Sequence, residues 1–317
     1  MASIRRMTDT VTRPSRRAAA APLIREHRIP TQGSKPYIAV EGRDRALWFC
    51  ESGASKIGRL DPNAYTFREF DLPTPDATPI GIVLGPDGNL WFAEKTGNKI
   101  GRITPSGEIT EFPLPTPGAG PDAMQLGPDG NLWFSETEIS RIGRITPQGT
   151  ITEFKDGITP GSKPLSIVVR DGALWFSEAA GNRVGRMTMD GKVTEFPIPS
   201  HDSQPRAMVT HPDGSIWFVE TGANALGRVD RDGRITEHKV PTPDASLRGV
   251  TVSAEGDLWY TANFANKIGR MAPDGTVVGE YDIPTPNSGA RCIAPMSNGR
   301  LYFTQWDAGL IGEVIPG

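Results

Sequence analysis

The sequence contains little of what disulfide-stabilised, metal-binding and membrane-spanning proteins require. Its 317 residues include two cysteines and four histidines, too few for a disulfide framework or a standard zinc site. No apolar run approaches the ~20 residues of a membrane-crossing helix, and phosphate-binding glycine loops and nucleophile elbows are absent. We expect a reduced, cytoplasmic protein without a membrane segment. Cys50 and Cys292 are expected to be buried small side chains, the alternative being a bridge or a reactive pair.

Charge is unevenly distributed along the chain. Residues 1–22 carry five arginines and one aspartate, so the net charge of −3 becomes more negative over residues 23–317. An acidic body argues against a nucleic-acid surface. The first 22 residues also lack the apolar core of a secretory signal. They are predicted to be a disordered, arginine-rich leader, or alternatively a misassigned start, ahead of one domain over 23–317.

An aromatic triplet recurs throughout the rest of the chain. The seven copies are 42 or 43 residues apart and begin at Leu47, Leu90, Leu132, Leu174, Ile216, Leu258 and Leu301. Each copy follows a short β-type run and a turn such as "GPDGN". Asp-Gly between two apolar runs is a strong hairpin signal, because glycine accepts the positive φ of such turns. A "KIGRI"-type run comes after each triplet, and an "ITEF"-type run follows it in six of the seven copies. Four strands in such a period indicate a β-propeller blade.

The strand count predicts how the ring closes. There are seven triplets and seven "KIGRI"-type strands, but only six "ITEF"-type strands follow a triplet. The seventh copy is "IREHRIP" at residues 24–30, before the first blade. The sequence therefore predicts an all-β, seven-bladed propeller with four antiparallel strands per blade. Its last blade is closed by the N-terminal strand, which removes the exposed sheet edges, and a monomer is expected.

Residues present in blade after blade are interpreted as structural. The repeated glutamates are Glu51, Glu94, Glu136, Glu178 and Glu220, and the repeated arginines are Arg59, Arg102, Arg144, Arg186, Arg228 and Arg270. Both sets are expected to form ion pairs and hydrogen bonds between strands or blades. Residues that break the pattern are better candidates for function.

One repeat position, near the start of each channel-lining strand, breaks the pattern. Its seven residues are Tyr37, Ile80, Asp122, Leu165, Arg206, Arg248 and Arg291. Ring geometry predicts a cationic arc of three arginines at the channel mouth, beside Tyr37. Such an arc suits an anionic or carbonyl-rich small ligand, although solvated surface charges are the plainer alternative. His201, on a loop of the same face, is a candidate for proton transfer.

The stretch "GPDGNLWFAEKTGNKIGRITPSGEITEFPLPTP" resembles the virginiamycin B lyase family, and the likeness covers about residues 23–317. It implies a seven-bladed propeller that linearises type B streptogramins by eliminating across an ester C–O bond, using Mg²⁺ and a histidine. It implies that Tyr37 lies near the substrate. The family's histidines correspond to Arg248 and Arg291, and its glutamates to Gly289 and a place near Gln305 and Trp306.

Two functions are therefore predicted for the channel mouth. The first is an enzyme with a rebuilt site that acts on a cyclic ester, lactone or similar carbonyl compound. His201 and Tyr37 would move the proton, and Arg206, Arg248, Arg291, Asp122 and Trp306 would contact substrate. No cofactor is assigned from the residues, and Mg²⁺ is implied only by the resemblance. The alternative is a propeller without catalysis that binds a small anion, a peptide or a protein.

Overall fold

Glycine-bearing turns divide residues 20–317, the part of the chain described by the computed structural model, into 28 strands in seven antiparallel four-stranded sheets. The inner strands are β2 (Pro36–Glu41), β6 (Pro79–Leu84), β10 (Pro121–Leu126), β14 (Pro164–Arg170), β18 (Pro205–Thr210), β22 (Leu247–Val252) and β26 (Ala290–Pro295). The second strands are β3 (Leu47–Glu51), β7 (Leu90–Glu94), β11 (Leu132–Glu136), β15 (Ala173–Glu178), β19 (Ile216–Glu220), β23 (Leu258–Ala262) and β27 (Leu301–Gln305). The third strands are β4 (Lys56–Asp61), β8 (Lys99–Ile103), β12 (Arg141–Ile145), β16 (Arg183–Met187), β20 (Ala225–Val229), β24 (Lys267–Met271) and β28 (Leu310–Ile315). The outer strands are β5 (Thr66–Asp71), β9 (Ile109–Pro113), β13 (Ile151–Phe154), β17 (Val193–Pro197), β21 (Ile235–Lys239), β25 (Val277–Asp282) and β1 (Leu23–Arg28).

The N-terminal strand closes the ring. β1 pairs antiparallel with β28, from Leu23 opposite Ile315 to Arg28 opposite Leu310. The last sheet therefore has the order β1-β28-β27-β26. The predicted seven blades and their closure are confirmed.

The repeated third-strand arginines stabilise the first hairpin of most blades. In blade 2, Gly88 has φ +81° at the turn, and the Trp91 indole donates to Asp87 Oδ1 over 3.1 Å. The guanidinium of Arg102 lies 5.4 Å from the ring centre of Trp91 and 4.0 Å from Asp87 Oδ2. The predicted ion pairing is confirmed for five of the six arginines, while Arg186 forms no ion pair within residues 20–317 and lies 6.0 Å from the ring centre of Trp175.

The glycine of each "GR" strand is required by packing. A Cβ at Gly101 would lie 2.1 Å from the ring of Phe92, far closer than van der Waals contact allows. The glycine lets the ring lie flat on the neighbouring strand, while Trp91 stacks on Phe112 with centroids 5.4 Å apart. Seven such aromatic clusters fill the spaces between blades and supply most of the buried apolar surface.

The repeated glutamates differ from the prediction, because none of them forms an ion pair within residues 20–317. Glu51, Glu94, Glu136, Glu178 and Glu220 are fully buried. Burial, with a contribution from an outer-strand glutamate such as Glu69, raises the pKa of Glu51 to about 8. The pKa of Glu136 is likewise raised to about 8, by burial and by Glu153. At neutral pH each buried carboxyl therefore keeps its proton and can donate it to the facing carboxylate.

Three further expectations concern the chain as a whole. The predicted leader at 1–22 lies outside the described residues except for Ala20, Ala21 and Pro22. Cys50 and Cys292 are both unpaired, the first fully buried and the second partly so, which agrees with their expected role as small side chains. No helix capable of crossing a membrane occurs in residues 20–317.

Candidate functional site

The seven inner strands all begin at the same end of the central channel, because every blade enters the ring through the same type of connection. Their second residues form a collar around the channel mouth. The collar residues are Tyr37, Ile80, Asp122, Leu165, Arg206, Arg248 and Arg291. Below the collar lies a cavity of about 450 Å³, and all collar residues except Ile80 line it. A cavity of this size is typical of small-molecule sites.

The side chains of the three collar arginines have no hydrogen-bond or ion-pair partner among residues 20–317. Arg206, Arg248 and Arg291 are half-buried, and the Nε atom of each is buried without a partner. Burial, followed by repulsion from Arg206 and Arg291, lowers the pKa of Arg248 to about 10, which leaves it charged at neutral pH. A ligand with negative charge would supply the hydrogen bonds that these guanidiniums lack within the described chain.

An aromatic wall adjoins the arginine arc where the last blade meets the first. The Arg291 guanidinium lies 5.2 Å from the ring centre of Tyr37 and 4.4 Å from that of Trp306. The Lys35 ammonium is 4.3 Å from the Trp306 ring centre. Thr304 Oγ1 donates to the Tyr37 carbonyl over 2.6 Å and holds the two blades in register. Tyr37 lines the cavity, whereas Trp306, predicted to contact substrate, does not line it and contacts Arg291 instead.

The opposite side of the mouth carries the only acidic side chain among the collar residues. Asp122 is buried and accepts a hydrogen bond of 3.0 Å from Lys95 Nζ. Lys95 Nζ also lies 3.7 Å from Glu138, and Lys163 lies 3.9 Å from Glu138. Burial raises the pKa of Asp122, and Lys95 and then Arg206 limit the increase. The mouth is therefore asymmetric, cationic over blades 5 to 7 and charge-paired over blade 3.

His201 is placed away from the cavity. It occupies an exposed turn before β18, does not line the cavity, and makes no side-chain hydrogen bond to another residue of the described chain. Its predicted role in proton transfer stays a prediction. Among the collar residues, Tyr37 carries a hydroxyl group and Asp122 a carboxyl group, and the predicted catalytic role of Tyr37 also stays a prediction.

The donors that the family resemblance implies for Mg²⁺ do not occur together in this chain. Residues 20–317 contain no group of three or more histidine, cysteine, aspartate or glutamate side chains placed to hold a metal ion. Asp122 and Glu138, the acids nearest the mouth, contact Lys95 instead. The residues present do not fit a protein-held Mg²⁺ ion.

Lys95 and Lys35 are site residues that the sequence analysis missed. Lys95 directly follows a repeated glutamate. Other blades place residues as different as Ser52, Thr137 and Trp306 at that position. This variability is the same signal that identified the collar, and it could have pointed to Lys95. Lys35 gave a weaker signal, since blade 4 has a lysine, Lys163, at the equivalent position.

Comparisons with known proteins agree with the fold. A family model described as "Virginiamycin B lyase family" matches residues 10–169 and 126–317. A streptogramin B lyase structure is 35% identical with a TM-score of 0.89, over 93% of this chain and 98% of that chain. Selenomethionine-substituted virginiamycin B lyase from Staphylococcus aureus is 36% identical with a TM-score of 0.88, over 93% and 99%.

A third similar structure contains a ligand. It is a catalytically inactive His-to-Ala variant of the Staphylococcus aureus virginiamycin B lyase with quinupristin, 35% identical with a TM-score of 0.88, over 93% of this chain and 99% of that one. A comparison with curated protein sequences finds no match. The chain belongs to the virginiamycin B lyase family.

Proposed function

We propose that the channel mouth binds a small molecule through a carboxylate or an ester carbonyl, and that Arg206, Arg248 and Arg291 recognise this group. The observation that carries the proposal is the set of three charged guanidiniums without a partner in residues 20–317, at the mouth of a cavity of about 450 Å³. A guanidinium offers forked donors that match carboxyl oxygens. A bound carboxyl group would supply the hydrogen bonds and the counter-charge that the folded chain leaves out.

Family membership favours a reaction for such a ligand, namely ring-opening elimination of a cyclic ester. A base removes a proton from the carbon next to the one that bears the ester oxygen, the C–O bond breaks, and an alkene and a carboxylate are formed. Where the proton lies beside a second carbonyl, the arginines would stabilise the enolate that develops there. Tyr37 is the nearest candidate for the proton transfer, since it lines the cavity beside Arg291.

Binding without catalysis is the second candidate, and two placements favour it. The only histidine predicted for proton transfer, His201, lies on an exposed turn outside the cavity. The described residues also lack an acidic cluster for a metal ion. In a relative, replacement of a single histidine by alanine gives a catalytically inactive protein, whereas here Arg248 and Arg291 stand where the resemblance implies histidines.

Calorimetric titration with butanoate and δ-valerolactone tests the binding proposal. We expect both to bind the wild-type protein and to lose affinity in the Arg206→Ala, Arg248→Ala and Arg291→Ala variants. Binding that is unchanged in all three variants would contradict a site at the collar. His201→Ala serves as the matched control on the same face, and we expect it to bind both probes normally.

An elimination assay then separates the two candidates. Type B streptogramins and simple lactones are incubated with the protein, with Mg²⁺ or with a chelator, and products are analysed by mass spectrometry. Elimination gives a product of unchanged mass, while hydrolysis adds a water. We expect no substantial Mg²⁺-dependent cleavage of type B streptogramins. Turnover that a chelator abolishes and Mg²⁺ restores would contradict this expectation.

A further inference from the structure

We propose that the ligand is amphipathic, with its carboxylate or ester carbonyl at the arginines and an unbranched apolar chain extending down the channel. This inference rests on the proposed function and adds the chemistry of the rest of the ligand. It follows from the side chains that line the cavity below the collar, and from the charges at its two ends.

The layer directly below the collar consists of small or apolar side chains. The third residues of six inner strands line the cavity there, namely Ile38, Ala123, Ser166, Ala207, Gly249 and Cys292. None of these side chains carries a charge at neutral pH, since burial raises the pKa of the Cys292 thiol to about 11. At Gly249 the small size is required by the neighbouring strand, since a Cβ there would lie 2.3 Å from the Arg291 carbonyl oxygen. The Ser166 hydroxyl is already engaged, because it accepts a 3.0 Å hydrogen bond from the Met208 amide. The layer therefore offers a polar ligand few groups to bind, whereas a hydrocarbon chain gains the free energy of burial.

The lining toward the far end of the channel is more apolar than polar. The fifth residues of five inner strands line the cavity there, of which Val40, Val209 and Ala294 are apolar and Gln125 and Thr251 are polar. From the second to the fifth residue a strand rises about 10 Å, at roughly 3.3 Å per residue. The lining below the arginines therefore extends far enough along the channel to accommodate an extended chain.

The charges at the two ends set the orientation of the ligand. Three arginines lie along one side of the mouth, whereas Glu41 lines the far end. Glu41 is already engaged there, since its Oε2 accepts a 2.8 Å hydrogen bond from the Ser297 amide and its Oε1 lies 3.6 Å from Arg45 Nη1. An acidic head is therefore attracted to the arginines of the mouth, while the charge at the far end is already paired. The apolar chain consequently points away from the arginines and toward Glu41.

A homologous series of linear carboxylates tests the inference. Acetate, butanoate, hexanoate and octanoate are titrated calorimetrically against the full chain. Burial of a methylene in an apolar site strengthens binding by about threefold to fourfold, so affinity should rise by about tenfold for every two carbons until the channel is filled. Octanoate should bind far better than 1-octanol, because only the acid meets the arginines.

Two substitutions, one that enlarges a side chain and one that shortens a side chain, test where the apolar chain of the ligand lies in the channel. Ala207→Leu places a larger side chain directly below Arg206 and should remove the advantage of octanoate over butanoate while acetate binding stays the same. Val209→Ala widens the channel lower down and should leave butanoate unchanged while the best chain length increases. Ala207 packs beside a core cluster, so a melting curve is needed to show that Ala207→Leu still folds. Val209→Ala tests the position of the apolar chain without adding a larger side chain.

The outcomes distinguish this inference from the proposed function. If no carboxylate binds, or if Arg248→Ala leaves all affinities unchanged, the proposed function fails and this inference with it. If all chain lengths bind equally and depend on Arg248, the proposed function stands and the amphipathic ligand is wrong. Phe264, the most exposed large apolar side chain of the described residues at 75%, provides a control. Loss of the chain-length effect in Phe264→Ala would place the apolar chain outside the channel and overturn the inference.

Discussion

The blade interiors and the channel mouth both contain ionisable side chains without an internal ion-pair partner. The two regions differ in whether these side chains are charged at neutral pH. Inside the blades, five glutamates are fully buried and keep their protons at neutral pH, because burial raises their pKa values to about 8 or 9. At the mouth, Arg206, Arg248 and Arg291 cannot become neutral in this way. Even the lowered pKa of Arg248, about 10, leaves it charged.

This difference separates structural groups from ligand-binding groups. A buried acid that holds its proton is neutral, so it needs no counter-ion from outside the blade. A guanidinium retains both its charge and its donors. An anion or carbonyl in the cavity can bind to the guanidiniums of the mouth. Arginines that do have an internal partner form a third group, which can be compared with the buried glutamates and the arginines of the mouth.

The largest effect is expected for an arginine paired inside a blade. Arg270 is buried, and its guanidinium contacts Asp257 Oδ2 at 2.7 and 2.8 Å and lies 5.3 Å from the Trp259 ring centre. Arg270→Ala should lower the free energy of unfolding by about 3–5 kcal/mol, because it leaves a buried carboxylate without its cation. Chemical denaturation measures this directly. A loss of carboxylate binding with unchanged stability would reverse the assignment.

At the mouth we expect a smaller effect, and on ligand binding rather than on stability. Arg248→Ala should weaken butanoate binding by about 1–3 kcal/mol, the usual cost of a lost charge-assisted hydrogen bond. Its stability should stay the same or rise, since repulsion from Arg206 and Arg291 is relieved. Arg248→Lys keeps the charge but not the fork, and we expect intermediate binding. A destabilised protein with normal affinity would make Arg248 structural.

The raised pKa values of the buried glutamates should make the stability of the protein depend on pH. The pKa of Glu136 is raised from 4.5 to about 8 by burial and by Glu153, with Arg141 opposing the shift. The folded protein therefore binds more protons than the unfolded chain between these values, and stability falls as pH rises from about 4.5 to about 8. Glu136→Gln removes this dependence.

We expect Glu136→Gln to change stability little at pH 5 and to raise it by about 1–3 kcal/mol at pH 9, the range for one uncompensated buried polar group. Melting curves across this pH range are the measurement. Blade 7 supplies a natural precedent, since Gln305 is fully buried at the same repeat position. Equal pH dependence in variant and wild type would show that Glu136 is ionised throughout.

The smallest effect is expected for a partly exposed paired arginine. Arg102 lies 4.0 Å from Asp87, and both side chains keep about a quarter of their surface exposed. Arg102→Ala should cost at most about 1 kcal/mol, as is usual for such pairs, and should leave butanoate binding unchanged. A loss near that of Arg270→Ala would mean that stacking on Trp91, rather than burial of the ion pair, dominates.

The repeat made most of the fold predictable. Triplets at a constant spacing indicated seven blades, and one surplus strand indicated how the ring closes, because each blade obeys the same local rules. The collar was predictable for the same reason, since equivalent positions in a ring become neighbours in space. Reading the third inner-strand residues together, among them Ala207 and Cys292, would also have shown the small side chains below the collar.

Other features depend on distances that the sequence does not contain. The proton held by Glu51 depends on its complete burial and on Glu69 nearby, while the sequence favoured an ion pair. Lys95 reaches Asp122 from a different blade, and no local pattern predicts such a pair. His201 was placed on the correct face by the repeat, but whether a loop side chain enters the channel is decided by the loop conformation.

The closure of the ring has a consequence for the order of events during synthesis. β1 leaves the ribosome before every other described strand, and its partner β28 leaves last. At ~5–20 residues per second, β1 waits on the order of 15–60 s for that partner. Its backbone donors and acceptors remain open to other chains throughout this interval. Polar residues such as Arg25, Glu26 and Arg28 along β1 protect the waiting strand from aggregation.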